Sequence, residues 1–226
     1  MRRTTLLMLQ AFRNFLTRRT FAYKARNKAM NMFSSFENFK AIRKKAEDIR
    51  KDANRPHEVL YFHKVDDPYS HLTIHFIEKF KSTYDVKFKS ILVGEENPAA
   101  LHEPSLYTDY CLEDVKRIAP FYGVDFPGID YPKKDLVNKA NAILSAVSEE
   151  EFESIAKQVS HALWSGDQEK LNSLGESYQT SEAEVIEKLK TGNEIRNNCD
   201  YYFGSAFYYE KELYWGVDRL NHLEDR

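Results

Sequence analysis

The chain has 226 residues, of which 42% are hydrophobic and 30% charged, enough for one sizeable domain and a smaller extension. An aromatic content of 14%, with only 8 glycines and 7 prolines, excludes a wholly disordered, collagen-like or low-complexity chain. Its two cysteines are too few for a disulfide framework or a four-cysteine zinc site, so the sequence predicts the cytoplasm or another reducing compartment.

The net charge of −2 hides a strong asymmetry along the chain. Residues 1–56 hold 15 basic and 4 acidic residues, a balance of +11, whereas residues 57–226 hold 18 and 31, a balance of −13. The basic segment could therefore fold back on its own acidic body or meet an anionic membrane surface. It contains no recognisable nucleic-acid module, so no nucleic-acid partner is expected.

Residues 1–36 contain eight basic residues and no acidic one, with apolar side chains at helical spacing: Leu6, Leu9, Phe12 and Leu16. This pattern predicts a basic amphipathic helix that docks on a membrane surface or a partner protein. The apolar stretch is too short for a secretory signal, while an organellar presequence stays open. Residues 37–52 continue as a charged helix, and Pro56 marks a domain boundary.

A βαβ pattern follows this basic helical N-terminal extension. A strand is predicted at residues 59–62, a helix from Asp67 and Pro68 to Tyr84, and a second strand at residues 86–93. The two strands should be parallel, joined by a right-handed crossover. His71 and His75 share a face of this helix, but we interpret them as a polar helix edge and predict no metal.

The second half of the chain is predicted to be mostly helical. A helix over residues 107–122 precedes a helical block over residues 133–191, with capping boxes that begin at Ser148 and Ser181. Gly166 and Gly192 are the predicted helix stops. Two short strands follow, Ala206 to Tyr209 and Glu212 to Trp215, and then a last helix for which Asp218 is a candidate N-cap.

Four fragments of the chain stand out in their order and spacing: Asp67-Pro68-Tyr69-Ser70-His71-Leu72, Ala162-Leu163-Trp164-Ser165-Gly166-Asp167, Phe203-Gly204-Ser205-Ala206-Phe207 and Trp215-Gly216-Val217-Asp218-Arg219-Leu220. Together they resemble the DsbA-like thioredoxin-fold family, in particular its 2-hydroxychromene-2-carboxylate isomerase and kappa-class glutathione transferase branch. The resemblance implies an α/β chain with a thioredoxin-like fold over residues 57–226 and an inserted α-helical domain at about residues 127–192.

The resemblance also implies a glutathione site. Asp67, Tyr69 and Ser70 would face the glutathione sulfur as catalytic residues. The residues that would hold the tripeptide are Asn97, Ser205, Ala206 and Asp218.

Two positions depart from the family pattern. Asp67 stands where the family has a serine, and an ionised carboxylate repels a thiolate instead of donating a hydrogen bond to it. Ala206 stands where the family has a cis-proline, and without proline a trans bond is expected. Asp67 could instead be a simple N-cap, and the same holds for Asp218. Ser70 could bind a ligand or complete the first helical turn.

Two function hypotheses remain open on these residues. One is a glutathione-dependent isomerase or transferase acting on a small electrophilic or aromatic substrate. The alternative is a non-catalytic DsbA-like binding or interaction module, which the changes at Asp67 and Ala206 favour. A thiol-disulfide oxidoreductase is third, because neither Cys111 nor Cys199 lies at the first helix start. Whether the protein forms a homodimer stays open.

Overall fold

A computed structural model describes residues 8–10, 12–14, 21–94 and 103–226, and the chain divides into two compact units, residues 1–55 and 56–226. In the first unit the longer described helices are α1 (Phe21–Phe33) and α2 (Phe36–Asp52). Ser35 separates them, and its hydroxyl caps α2 by accepting a hydrogen bond from the Asn38 N–H at 3.2 Å. The predicted charged helix over residues 37–52 is thus confirmed.

The second unit begins with a strand, a helix and a second strand, continues with five helices in its described part, and ends with two strands and a short helix. In chain order its elements are β1 (Glu58–His63), α3 (Pro68–Thr83), β2 (Lys87–Leu92), α4 (Pro104–Ile118), α5 (Lys134–Ala146), α6 (Phe152–Ser165), α7 (Gln168–Ser177), α8 (Glu182–Asn198), β3 (Ala206–Tyr209), β4 (Glu212–Trp215) and α9 (Leu220–Glu224). Short 3₁₀ turns follow α4 at Ala119–Tyr122 and precede α9 at Val217–Arg219.

The four strands form one mixed sheet in the order β2-β1-β3-β4. β1 and β2 are parallel, with Phe62 opposite Ile91, which confirms the predicted βαβ unit. β3 runs antiparallel to both β1 and β4. Glu210 and Lys211 form the hairpin turn with φ angles of 44° and 71°, the left-handed conformation that two-residue hairpins require at both positions.

The inserted helices share one hydrophobic core with the sheet. Tyr61 on β1 and Phe207 on β3 belong to the same buried cluster as Leu144 on α5 and Val159 on α6. Helix α3 contacts both α4 and α6, and its residue Ile74 belongs to the same buried cluster as the sheet. This packing fixes the position of the residues that the sequence singles out at the start of α3.

One predicted helix end is confirmed and another is wrong. Gly166 ends α6 in the left-handed conformation, at φ 70°, as expected of a C-terminal glycine. Helix α8, by contrast, continues past Gly192 to Asn198. A Cβ at Gly192 would lie 1.9 Å from the Leu92 carbonyl oxygen, so this glycine allows α8 to pack tightly on β2.

The prediction that the Asp218 side chain caps the last helix is also wrong. Asp218 lies inside the 3₁₀ turn, and the residue at the N-cap of α9 is Arg219, with no side-chain capping hydrogen bond. Within the described ranges, no helix is both long enough and apolar enough to cross a bilayer.

Candidate functional site

The Asp67 carboxylate caps helix α3. Its Oδ1 accepts a hydrogen bond from the Tyr69 N–H at 3.2 Å, and its Oδ2 accepts one from the Ser70 N–H at 3.0 Å. Both N–H groups belong to the first turn of the helix, where backbone donors lack the full set of helical acceptors, so a side-chain acceptor at this position stabilises the turn. The N-cap interpretation of Asp67 is therefore confirmed.

The Ser70 side chain completes the hydrogen bonding of the same turn. Its side chain is buried, its hydroxyl donates to Asp67 Oδ2 at 2.7 Å, and its oxygen accepts from the Lys64 N–H at 3.3 Å. A hydroxyl has a single proton to donate. Because Asp67 already accepts that proton, Ser70 cannot donate to a ligand without first breaking this bond.

The loop before β3 closes over the capped turn. A Cβ at Gly204 would lie 2.7 Å from Lys64 Cβ, 2.9 Å from Asp67 Oδ2 and 3.2 Å from Ser70 Oγ. Only a residue without a side chain fits between these atoms. The backbone of Gly204 therefore lies where a ligand atom would have to approach the start of α3.

Phe203, in the same loop as Gly204, is the middle ring of a stack of three aromatic side chains. Its ring stacks on Tyr107 at 5.2 Å between centroids and on Trp215, also at 5.2 Å, with interplanar angles of 17° and 15°. Such offset aromatic pairs add to the free energy of burying the rings.

Beneath the stack remains a cavity of about 50 Å³, here called the capped pocket. Its lining residues are Lys64, Asp66, Asp67, Pro68, Tyr107, Thr108, Cys111, Tyr131, Phe203, Gly204 and Trp215. A cavity of this size holds one or two waters and is far smaller than the roughly 300 Å³ or more of typical ligand pockets.

The backbone at Ser205 and Ala206 takes part in the hydrogen bonding and strand pairing of the β3–β4 hairpin. No cis peptide bond occurs among the described residues, so the bond before Ala206 is trans, as the missing proline predicts. The Ser205 carbonyl accepts from the Gly216 N–H at 2.8 Å, and its buried hydroxyl lies 2.7 Å from Thr73 Oγ1. Ser205 has a φ of 51°, an uncommon conformation for a residue with a side chain.

A second, larger cavity shares one lining residue, Trp215, with the capped pocket. This aromatic cleft has a volume of about 400 Å³. Its lining residues are Tyr69, Tyr110, Asp114, Ile118, Tyr122, Trp215, Gly216, Val217, Asp218 and Arg219. Two of the predicted site residues, Tyr69 and Asp218, therefore meet here, whereas Asp67 lines only the capped pocket.

Tyr69 lines the aromatic cleft and is held there by two contacts. Its hydroxyl donates to Asp114 Oδ2 at 2.7 Å, and its ring meets Trp215 edge-on at 6.2 Å between centroids. Burial, reinforced by the hydrogen bond to Asp114, raises the pKa of Tyr69 well above its usual range. Tyr69 is therefore a neutral phenol that donates a hydrogen bond, and it is not a phenolate base.

Asp218 presents an exposed carboxylate to the cleft. Its nearest cation is Arg219, at 3.8 Å, a surface pair that contributes little to stability. Burial, and next the negative charge of Asp218, raises the pKa of Tyr122 on the opposite wall. The charged residues that line the cleft are two carboxylates, Asp114 and Asp218, and one guanidinium, Arg219, so the lining carries an excess of negative charge.

Cys111 lines the capped pocket, a position that no motif or spacing in the sequence predicts. It comes from α4, 44 residues after Asp67, so only the packing of α4 on α3 brings the two side chains together. Burial raises the pKa of the Cys111 thiol to about 11, and the charge of Asp67 acts in the same direction. A protonated, buried thiol is a poor nucleophile, so Cys111 is not an activated cysteine.

The histidines on α3 are part of the packing. His71 is buried, and its two ring nitrogens lie 2.8 Å from Ser160 Oγ and 2.8 Å from the Asp125 carbonyl oxygen. His75 Nδ1 lies 2.8 Å from the His71 carbonyl oxygen. The last predicted site residue, Asn97, lies outside the described residues.

No protein-family model matches this sequence, and no curated protein matches it significantly. Among solved structures, the chain is similar to 2-hydroxychromene-2-carboxylate isomerase, with a TM-score of 0.55 and 19% identity over 74% of this chain and 93% of that chain. It is also similar to a protein from Nitrosomonas europaea assigned as a protein disulfide isomerase, with a TM-score of 0.53 and 15% identity over 75% and 96%.

A third solved structure, the cytosolic disulfide reductase DsbM from Pseudomonas aeruginosa, aligns at a TM-score of 0.45 and 14% identity over 69% of this chain and 87% of that chain. The sheet order, the inserted helices and the first two structures define the fold. The chain has a DsbA-like thioredoxin fold with an inserted α-helical domain.

Proposed function

We propose that this protein is a non-catalytic binding module, built on the DsbA-like fold, whose small ligand occupies the aromatic cleft. The main observation in support is the way in which Asp67 and Gly204 fill the space at the start of α3. Asp67 Oδ2 accepts the Ser70 hydroxyl proton at 2.7 Å and lies 2.9 Å from the Cβ position of Gly204. The place where the fold elsewhere presents reactive groups is here filled by a helix cap and a loop.

The walls of the aromatic cleft favour a small, flat ligand that carries a positive charge. Tyr69, Tyr122 and Trp215 offer ring faces and edges, and Asp114 and Asp218 supply the negative charge. A cation near an aromatic face gains roughly 0.5 to 2 kcal/mol, and a carboxylate adds an ion pair. The volume of about 400 Å³ is within the range of small-molecule sites.

A pair of matched probes tests this proposal. Phenethylamine is a cation at neutral pH, and phenylacetate is an anion of similar shape. Trp215 lies in the cleft and is 39% exposed, whereas Trp164 is buried, so ligand binding should change the fluorescence of Trp215. We expect phenethylamine to bind at least about tenfold more tightly than phenylacetate, because only the amine pairs with the carboxylates.

Variants of the cleft carboxylates complete the test. Asp114→Asn with Asp218→Asn should abolish the preference for phenethylamine. Asp109→Asn with Asp130→Asn, which changes two exposed carboxylates outside the cleft, should leave it unchanged. Equal binding of the two probes, or no saturable binding of either, would contradict the proposed ligand class.

A glutathione-dependent isomerase or transferase is the second candidate. One observation favours it: Tyr69 and Asp218, two of the residues that the family resemblance implies for glutathione chemistry, line the same cleft. Calorimetry with glutathione separates the candidates. Saturable binding to the native protein that is weakened by Asp218→Asn, together with a glutathione-dependent rate on an electrophilic substrate, would support the enzyme and overturn the non-catalytic module.

Binding that occurs only after Asp67→Ser would have another meaning. Serine is also a good N-cap residue, so this variant keeps the helix start while it removes the negative charge. A recovered glutathione affinity would show a site lost through Asp67, and the binding module would stand.

A further inference from the structure

The large apolar side chains of helix α2 are exposed in the part of the chain that the structure describes. No residue of α2 is buried, and its large apolar residues remain exposed at 39% to 64% of their surface: Phe36, Phe39, Ile42 and Ile49. Their spacing of three and seven residues places them on one side of the helix. Exposed large apolar residues that form one contiguous stripe mark an interaction surface.

Basic residues border this stripe on both sides. At 100° per residue, Lys40 falls on one edge of the stripe and Lys45 on the other. The Lys40 ammonium lies 4.4 Å from the centre of the Phe36 ring, and the Arg43 guanidinium lies 4.0 Å from that of Phe39. The cations are thus held beside the aromatic rings instead of on the opposite face of the helix.

The rest of the first unit has the same character. Large apolar residues are also exposed in α1, at Met30, Met32 and Phe33, and residues 1–36 carry eight basic side chains and no acidic one. We infer that the first unit binds the surface of a membrane rich in anionic lipid, with the apolar stripe of α2 inserted at the level of the headgroups.

The charge distribution favours lipid over a second copy of the same helices. Two basic units with a balance of +11 each would repel one another if their stripes met. An anionic bilayer neutralises the lysines and covers the rings at the same time, and long lysine side chains reach the headgroups from a helix that lies in the interface. Each basic residue close to such a surface strengthens binding about fivefold.

Co-sedimentation of the full-length protein with lipid vesicles tests the inference. The probes are vesicles of phosphatidylglycerol mixed with phosphatidylcholine, and vesicles of phosphatidylcholine alone. We expect binding to the mixed vesicles to be at least about tenfold stronger, and to weaken when salt rises from about 0.1 M to about 1 M and shortens the screening length.

Two pairs of variants locate the contact. Phe36→Ser with Phe39→Ser should weaken binding to the mixed vesicles about tenfold or more, because two rings no longer enter the apolar layer. Phe121→Ser with Ile186→Ser, which removes exposed apolar residues of the second unit, should have no effect. None of these four side chains is buried, so folding should be preserved.

The charge variants follow the same design. Lys40→Gln with Lys45→Gln should weaken binding about fivefold for each lysine, whereas Lys188→Gln with Lys190→Gln should not change it. Equal binding to neutral and anionic vesicles, or an equal effect of the control pairs, would overturn the inference. A third result would also overturn the inference: the protein does not bind vesicles but self-associates, and Phe36→Ser with Phe39→Ser abolishes that self-association. The stripe would then join two copies of the chain.

Discussion

At the scale of single residues, the Asp67 carboxylate serves the helix backbone and a buried hydroxyl at once. It accepts hydrogen bonds from two backbone N–H groups and from the Ser70 hydroxyl. The Ser70 oxygen in turn accepts a hydrogen bond from the Lys64 N–H. A residue held in this way is a structural part of the turn. Its contribution should therefore appear in the stability of the protein.

We predict that Asp67→Ala lowers the free energy of unfolding by about 2 kcal/mol. Loss of the cap costs about 1 kcal/mol, and the buried Ser70 hydroxyl loses its acceptor at a similar cost. Asp167→Ala is the matched control, because Asp167 caps α7 through the Lys170 N–H at an exposed site and should cost about 1 kcal/mol or less. Urea unfolding measures both, and equal losses would contradict the dual role of Asp67.

Local residue patterns were sufficient to predict this cap, but not what covers it. Asp67 followed by Pro68 is a helix start that the sequence displays within two residues. Gly204 and Phe203 reach the same turn from more than 130 residues away. No spacing or periodicity encodes such a contact, so the closure of the candidate site became visible only in the folded chain.

At the scale of elements, Gly192 shows how tertiary packing can override a local signal. A glycine near the end of an apolar pattern usually stops a helix. Here the helix continues because the close approach of α8 to β2 requires a residue without a Cβ. The strands and the hairpin were predictable because alternation and turn residues are local, whereas this close approach is not.

Gly192→Ala should therefore destabilise the protein by about 3 kcal/mol, although alanine favours a helix. Its methyl group would meet the Leu92 carbonyl oxygen at 1.9 Å, a backbone atom that moves only with the strand. Gly175→Ala in α7 is the control, since its methyl group would meet only Ile143 Cγ1, at 4.0 Å. We expect the control to gain about 0.5 to 1 kcal/mol in thermal or urea unfolding. A Gly192→Ala protein as stable as the native one would disprove the close contact.

At the scale of the whole molecule, the core contains polar groups that must remain uncharged. His63 on β1 is fully buried, with Nδ1 3.1 Å from the Tyr61 hydroxyl and its ring edge-on to Phe152. Burial lowers the pKa of His63 to about 3 and that of His71 to about 4, in each case from an ordinary value of 6.5. Both histidines are therefore neutral in the folded protein at physiological pH.

These two pKa shifts predict acid sensitivity with a defined direction. Below about pH 6.5 the unfolded chain binds protons at both histidines before the folded chain does, so stability is full above that pH and falls as the pH decreases. The loss should approach about 1.4 kcal/mol per pH unit for each imidazole, and it should end near pH 4 for His71 and near pH 3 for His63.

Replacing His63 isolates the contribution of a buried histidine to the loss of stability in acid. The surface carboxylates also titrate in this pH range, but their contribution is the same in the native protein and in its variants. His63→Leu should reduce the slope of unfolding free energy between about pH 6 and pH 4 by about 1.4 kcal/mol per pH unit, because the proton uptake of one buried base is gone. His222→Gln, at an exposed position, should leave the slope at its native value. Urea unfolding at a series of pH values measures all three proteins. A native slope in His63→Leu would mean that His63 is already protonated in the fold, which its apolar surroundings make energetically costly.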